Sequence, residues 1–308
     1  MGDRGTICVY LTYCGAHTTR FAGGDKVNFQ NFKRGSLIRK AIKAPPGHKL
    51  VKADKSQIEC RILNYVAGQW DVIERFTNSE DPYVGIASKF YGREITKADQ
   101  AERGVGKQLE LSCGYGAGGS TIVRTARRGT YGPAVVLTDE QGMEARDLYR
   151  STHPGDVDYW KQASRMIAAI AGTEHPITWG PLTVTTGAVW LQDTPIWYPE
   201  LHFHTDEETG EQNWRYKTRK GWKKIYGGAL TENVVQFMSA VDMRESLLRI
   251  FARTNIGYSA QEHDAAVWVV PNDLVTPFVS VVEQEMSRAP TWLPDIPLAC
   301  EVTIGETM

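Results

Sequence analysis

Two apolar, strand-like stretches far apart in the chain each carry an aspartate: Asp54 within Leu50-Val-Lys-Ala-Asp-Lys-Ser-Gln-Ile-Glu-Cys-Arg61, and Asp264 within Tyr258-Ser-Ala-Gln-Glu-His-Asp-Ala-Ala-Val-Trp-Val-Val270. An ionised carboxylate in such a setting is costly unless a cation or hydrogen bonds compensate it. Two of them on neighbouring strands are one way to hold Mg²⁺ against phosphate. Acting together therefore requires two distant strands to meet in one sheet. The plain alternative is that both aspartates are turn or cap residues.

Between them lies Gln100-Ala-Glu-Arg-Gly-Val-Gly-Lys-Gln-Leu-Glu-Leu-Ser-Cys-Gly-Tyr-Gly116. Arg103, Lys107 and Leu111 recur every four residues, so on a helix they share one face, with Tyr115 just beyond its end. A cationic, then apolar, then aromatic stripe suits a nucleoside triphosphate, with phosphates on Arg103 and Lys107 and base and sugar toward Leu111 and Tyr115. A solvated amphipathic helix gives the same spacing. Gly104 and Gly106 argue against a helix chosen for stability alone, since each costs roughly 1 kcal/mol against alanine.

Together these three segments resemble the signature motifs of family A DNA polymerases. Asp54-Lys-Ser-Gln-Ile-Glu-Cys-Arg61 is similar to the family's Asp-Tyr-Ser-Gln-Ile-Glu-Leu-Arg. Arg103, Lys107, Tyr115 and Gly116 match its helix Arg-x3-Lys-x3-Phe-Gly-x2-Tyr-Gly, and Glu262-His-Asp-Ala265 resembles Val-His-Asp-Glu. Ala16-His-Thr-Thr-Arg20 resembles a Thr-Gly-Arg segment, Asn28-Phe-Gln-Asn31 an Asn-Leu-Gln-Asn, Glu232-Asn-Val-Val-Gln236 the polar palm helix of phage members, and Pro297-Leu-Ala-Cys-Glu-Val302 the final strand. The matches run nearly end to end, in order.

The resemblance implies an α+β fold, a right-hand polymerase palm of antiparallel sheet backed by helices, with a mostly helical fingers domain inserted. The expected layout is palm 1–70, fingers 71–225 with a β-rich insertion near 176–225, and palm again 226–308. It implies template-directed addition of deoxynucleotides to a primer 3′-hydroxyl with release of pyrophosphate, with two Mg²⁺ ions as cofactors. Asp54, Asp264 and the Lys55 backbone carbonyl are the implied metal ligands. Arg103 and Lys107 bind the triphosphate, Lys107 also serving as a proton donor; Tyr115 stacks near the templating position, Glu59 crowds a ribose 2′-hydroxyl, and Gln57 lies beside the triphosphate. Arg20, Asn28, Gln30, Gln236 and His263 are implied DNA contacts. Three departures stand out: Leu111 replaces an aromatic residue, Tyr83 stands where bacterial members have a histidine near the phosphates, and Ala265 replaces an acidic residue. Glu262, two positions before Asp264, is a candidate substitute.

The expected partners are primer-template DNA and deoxynucleoside triphosphates in a bacterial or phage-infected host cytoplasm. The chain starts within the palm, so a thumb and exonuclease are expected to be truncated, on a separate subunit, or lacking. Two other readings stay open: a non-catalytic primer-template binding subunit, and a single-subunit RNA polymerase, against which Glu59 and Tyr115-Gly116 count.

Charge bears on this because 35 basic residues against 36 acidic make a near-neutral chain, unlike most nucleic-acid binders. The distribution offsets part of that objection. Basic residues, among them Lys33, Arg34, Arg39, Lys40, Lys43, Lys49 and Lys52, outnumber acidic ones from Arg20 to Arg61. A second basic run interleaved with aromatics is Trp214-Arg-Tyr-Lys-Thr-Arg-Lys-Gly-Trp-Lys-Lys-Ile-Tyr226. It reads either as a grip on a phosphate backbone or as a solvated hairpin. His202-Phe-His204 lacks a third metal ligand nearby and reads as an ordinary strand.

Five cysteines, at 8, 14, 60, 113 and 300, show no paired spacing, which fits a reducing compartment. No apolar run is long enough to span a membrane. Residues 5–13 and 48–55 read as strands, the second entered through Pro45-Pro46-Gly47. Helices are predicted over 57–76, 81–91, 138–150, 156–172, 231–253 and 275–288, with hairpins over 176–226 and a hairpin turn at His263-Asp264.

Overall fold

Along the strand His48–Lys55, side chains alternate between two faces. Val51 and Ala53 are fully buried, and Leu50, Lys52 and Asp54 take the opposite face. This is the third strand of a four-stranded antiparallel sheet ordered Ala260–Glu262, Ala265–Pro271, His48–Lys55, Cys300–Gly305. The register sets Val51 opposite Trp268, and Ala53 opposite both Ala266 and Val302. Over that face lie Met243, Leu247 and Ile250 from the long helix Gly227–Thr254, and Phe278, Val282 and Met286 from Val275–Met286. Burial of such side chains is worth about 1.5–3 kcal/mol each, so this apolar layer decides which face of the sheet turns inward.

The computed structural model describes residues 5–6, 8–24, 28–32 and 35–308. Ile7 of the expected first strand, and Lys33 and Arg34 of the first basic stretch, lie outside the described residues. Of the strand expected over 5–13, Leu11–Thr12 is paired, with Ala22–Gly23. The chain divides into two compact units, Met1–Ile58 with Gln236–Met308, and Glu59–Val235. The first unit boundary falls after Ile58, and the helix Ile58–Val66 contributes Cys60 to a cluster with Val72, Ile73 and Phe76.

In the second unit the helix expected over 57–76 is two, Ile58–Val66 and Trp70–Thr77, separated at Gly68, whose φ of +71° ends the first. Pro82–Tyr91, Gln100–Gln108, Gly119–Arg127, Asp139–Thr152 and Pro154–Gly172 follow. Asp81 caps the first of these by accepting from the Tyr83 N–H, and Thr138 with Gln141 closes a capping box on the fourth. Gly119–Arg127 is a helix that the sequence reading passed over. Ile86, Val105, Leu109, Ile122 and Tyr149 form the core of these helices. The Trp-, Tyr- and Thr-rich stretch that follows makes a four-stranded meander, Ile177–Trp179, Leu182–Thr185, Ala188–Leu191 and Thr194–Trp197. A separate three-stranded sheet, His202–Thr205, Gln212–Thr218 and Gly221–Ile225, comes next. Among the described residues every strand pairing is antiparallel, so the class is α+β. Among the described residues no helix is long and apolar enough to cross a membrane.

Candidate active site

In the first unit, Asp54 stands opposite Ala265 on one neighbouring strand and Glu301 on the other. The Lys55 N–H donates to the Asp264 carbonyl at 3.0 Å, so the two aspartates are backbone neighbours despite their separation in sequence. Asp264 occupies the second position of the two-residue turn joining Ala260–Glu262 to Ala265–Pro271. His263, the first, adopts φ +53°, the left-handed conformation such hairpin turns demand, and it is exposed. The Arg20 guanidinium lies 3.6 Å from the Asp264 carboxylate. Arg20 ends a tight loop in which the Ala16 N–H donates to the Arg20 carbonyl at 3.1 Å. From the long helix, Arg244 donates to the Thr19 carbonyl at 2.8 Å and holds that loop.

Among the described residues no group of three or more His, Cys, Asp or Glu side chains is placed to hold a metal. The donor set nonetheless fits Mg²⁺. That ion keeps several waters and is bound through one or two carboxylates plus substrate phosphates rather than by an all-protein cage. Asp54 and Asp264 are both half-buried, which leaves room for such a shell.

Period-two alternation sends Lys55 to the opposite face from Asp54. There its Nζ lies 2.6 Å from Asp242 on the long helix and donates to the Met286 carbonyl at 2.9 Å. Both side chains of this pair are almost wholly buried, at 2 % and 1 % exposure. Burial raises the Asp242 carboxyl above its ordinary range, against the pull of Lys55. The sequence singled out only the Lys55 carbonyl; the buried pair beneath it had no spacing signal.

Three of the residues singled out in the sequence are engaged by their own neighbours. Glu262 is no spare metal ligand, since Arg39 holds one of its oxygens at 3.0 Å and Lys52 the other at 2.7 Å. It also precedes the turn that carries Asp264, so the two do not share a strand face. Asn28 and Gln30, expected to contact DNA, hold their own loop: Asn28 accepts from the Gln30 N–H at 3.0 Å. The Gln30 amide accepts from the Gly23 N–H at 2.9 Å and donates to the Phe21 carbonyl at 3.2 Å. Gln236 is half-buried on the long helix, and Gln57 takes φ +52° where the chain turns from the central strand into Ile58–Val66.

In the second unit Arg103 and Lys107 lie on the helix Gln100–Gln108, but the four-residue rhythm stops there. Leu109–Cys113 is a π-helical turn, and its extra residue rotates the chain. Leu111 accordingly packs toward Cys60, Val72, Ile73 and Phe76 rather than continuing the cationic stripe. The glycines allow close approach to Pro82–Tyr91: a Cβ on Gly106 would fall 2.0 Å from the Tyr83 carbonyl. Tyr83 is 3 % exposed and lies beneath the cations, its ring centroid 5.4 Å from the Arg103 guanidinium and 6.0 Å from Lys107 Nζ. Its ring supports those side chains. Asp81 fixes Arg103 further, accepting from its Nε at 2.7 Å. The Tyr115 hydroxyl donates to Glu59 at 2.7 Å, so two residues singled out separately form one contact.

A buried network behind this helix escaped the sequence reading. Glu110, on the π turn and 2 % exposed, has one oxygen 3.4 Å from His153 Nε2 and the other accepting from the Cys60 thiol at 3.7 Å. His153 stacks on Tyr149 with centroids 4.1 Å apart, and the Tyr149 hydroxyl donates to the fully buried Asp156. Burial pushes the Asp156 carboxyl up to about 7; burial also pulls His153 down, but Glu110, Asp156 and the Tyr149 carbonyl together leave it raised. A group with a raised folded pKa contributes stability at low pH that is lost as pH rises through that value. Unfolding by urea at pH 5 and pH 8 is therefore expected to show a loss toward pH 8. Asp156→Asn, which keeps an acceptor for Tyr149, is expected to flatten that dependence by on the order of 2–4 kcal/mol. An unchanged slope contradicts the assignment.

The model of DNA polymerase family A matches residues 3–174, and the chain belongs to that family. The DNA polymerase of Bacillus phage SP02 is 25 % identical over 294 residues, covering 88 % of this chain and 42 % of the relative. DNA polymerase I of Pseudomonas aeruginosa is 25 % identical over 296 residues, 94 % of this chain and 28 % of the relative. DNA polymerase I of Chloroflexus aurantiacus is 34 % identical over 116 residues, 36 % of this chain and 12 % of the relative. The chain thus spans less than half the length of these relatives. The solved POL domain of Pol1 from M. smegmatis, in complex with DNA primer-template and dNTP, shares the fold with a TM-score of 0.70 at 17 % identity, covering 99 % of this chain and 48 % of that one.

Proposed function

We propose that this chain is a template-directed DNA polymerase that joins the α-phosphate of an incoming deoxynucleotide to a primer 3′-hydroxyl and releases pyrophosphate. The observation that carries it is the adjacency, in a family A chain, of Asp54 at the end of one strand and Asp264 in the turn that opens the neighbouring antiparallel strand. Asp54, Asp264 and the Lys55 backbone carbonyl would hold two Mg²⁺ ions, which when bound activate the attacking hydroxyl and neutralise the leaving oxygens. The protein's own part is positioning and charge. Arg103 and Lys107 bind the triphosphate, and Lys107 protonates the departing pyrophosphate. Arg20, Gln236 and His263 touch the primer-template. In this reading the first unit is the palm and the second the fingers. The finer reading is a phage-type replicase working in a bacterial or phage-infected cytoplasm, supported by Gly15-Ala-His-Thr18 and Glu232-Asn-Val-Val-Gln236.

Extension of a labelled primer on a longer template, with Mg²⁺ and the four deoxynucleotides, tests the proposal. Products reaching the template end support it; a primer left at its starting length at every protein concentration counts against it. Glu59, steadied by Tyr115, is the proposed barrier to a 2′-hydroxyl. Glu59→Ala is expected to lower the preference for deoxynucleotides over ribonucleotides by roughly 10- to 200-fold, the scale set by one small group in a pocket. Single-nucleotide addition with each substrate measures it, and a wild-type preference for ribonucleotides contradicts the DNA assignment.

A further inference from the structure

The three-stranded sheet of the second unit has two unlike faces. Its register sets Arg215 opposite His202 and Lys224, and Lys217 opposite Trp222, so these five side chains share one face. Tyr216 and Ile225 alternate onto the other face and are 1 % and 3 % exposed, which seats the sheet in its unit by that side. On the outward face Trp222 is 46 % exposed. The Arg215 guanidinium lies 5.1 Å from its ring centroid, Lys217 Nζ lies 5.9 Å away, and His202 meets it edge-on at 4.9 Å. The acidic neighbours are exposed and single: Glu200 at 3.0 Å from Lys217, and Glu211 at 2.7 Å from Lys224. Such exposed pairs contribute little, so a phosphate competing for these lysines gives up little by breaking them.

What sets Trp222 apart from the chain's other exposed tryptophans is the pair of cations at its ring. We infer that this face binds single-stranded DNA, with a base stacked at Trp222 and the flanking phosphates on Arg215, Lys217 and Lys224. Aromatic platforms beside basic side chains take unpaired strands because only an unpaired base offers its flat face, and they do so without sequence preference. Duplex DNA supplies the phosphates but not the ring, and an acidic peptide supplies only the charge. None of these residues belongs to the proposed catalytic or nucleotide-binding set. The inference therefore goes beyond polymerisation, and its test needs no catalysis.

The test is the anisotropy of a fluorescein-labelled oligothymidylate, about 20 nucleotides long to exceed one site, binding the full chain without Mg²⁺ or nucleotides. Trp222→Ala is expected to weaken binding roughly 5- to 100-fold, and Trp222→Phe to retain most of it. Lys217→Ala/Lys224→Ala is expected to weaken binding and shallow its salt dependence. Trp222 is surface-exposed, so the melting temperature should hold, as should single-nucleotide addition on a template with one unpaired base. Wild-type affinity in Trp222→Ala overturns the inference. So does an equal loss of affinity for blunt duplex, or displacement of the oligonucleotide by polyglutamate as readily as by unlabelled strand.

Discussion

Replacing Asp264 with alanine is expected to slow primer extension by roughly 10³-fold or more while leaving the fold at its wild-type stability. Charge stabilisation at a metal-assisted phosphoryl transfer is worth several kcal/mol, and each 1.36 kcal/mol is tenfold in rate. Asp264 sits in a hairpin turn, and its Arg20 partner lies 3.6 Å away in a partly solvated pair. Breaking such a pair is expected to cost on the order of 1 kcal/mol, far less than the several kcal/mol that a 10³-fold rate loss represents. Rapid-quench measurement of single-turnover addition, beside urea unfolding of the same protein, separates the two effects. A loss below about tenfold at unchanged stability contradicts the role given to Asp264.

The second large effect lies on the other side of the same strand. Lys55→Met is expected to destabilise the protein by about 3–5 kcal/mol, because it strands the Asp242 carboxylate in a nearly dry interior. Lys55→Met/Asp242→Leu is expected to regain most of that loss, since it removes both charges together. The sign with pH follows from burial, which already raises Asp242. Without Lys55 the carboxyl folds preferentially in its protonated form, whose advantage is lost as pH rises through the raised pKa. The destabilisation is therefore expected to be smaller at pH 5 than at pH 8. Equal losses in the single and double variants contradict the stranded-charge explanation.

What the sequence disclosed follows from how far each signal reaches along the chain. Alternation through Leu50–Asp54 was visible locally, and the motif order supplied the long-range link to Asp264 that periodicity cannot provide. The hairpin turn lay between two strand-like runs, although its first residue is histidine rather than the glycine or asparagine that such turns favour. The π turn at Leu109–Cys113 was not legible, because an α-helical rhythm can be written over residues that do not keep it. Lys55 with Asp242, Glu262 with Arg39, and Glu110 with His153 were equally hidden. Each joins polar residues that are far apart in sequence, and a charged residue looks the same on paper whether solvated or paired in the interior. Asn28 and Gln30 show the converse: residues matched to a DNA-contacting motif are engaged with their own backbone.

The most direct test of the central claim is single-nucleotide addition to a labelled primer on four templates that differ only in the next base. Each of the four deoxynucleotides is offered separately with Mg²⁺. The account predicts efficient addition of the complementary nucleotide alone on each template, and loss of that product in Asp54→Asn and Asp264→Asn. Addition indifferent to the template base, or templated addition that survives both substitutions, would contradict it.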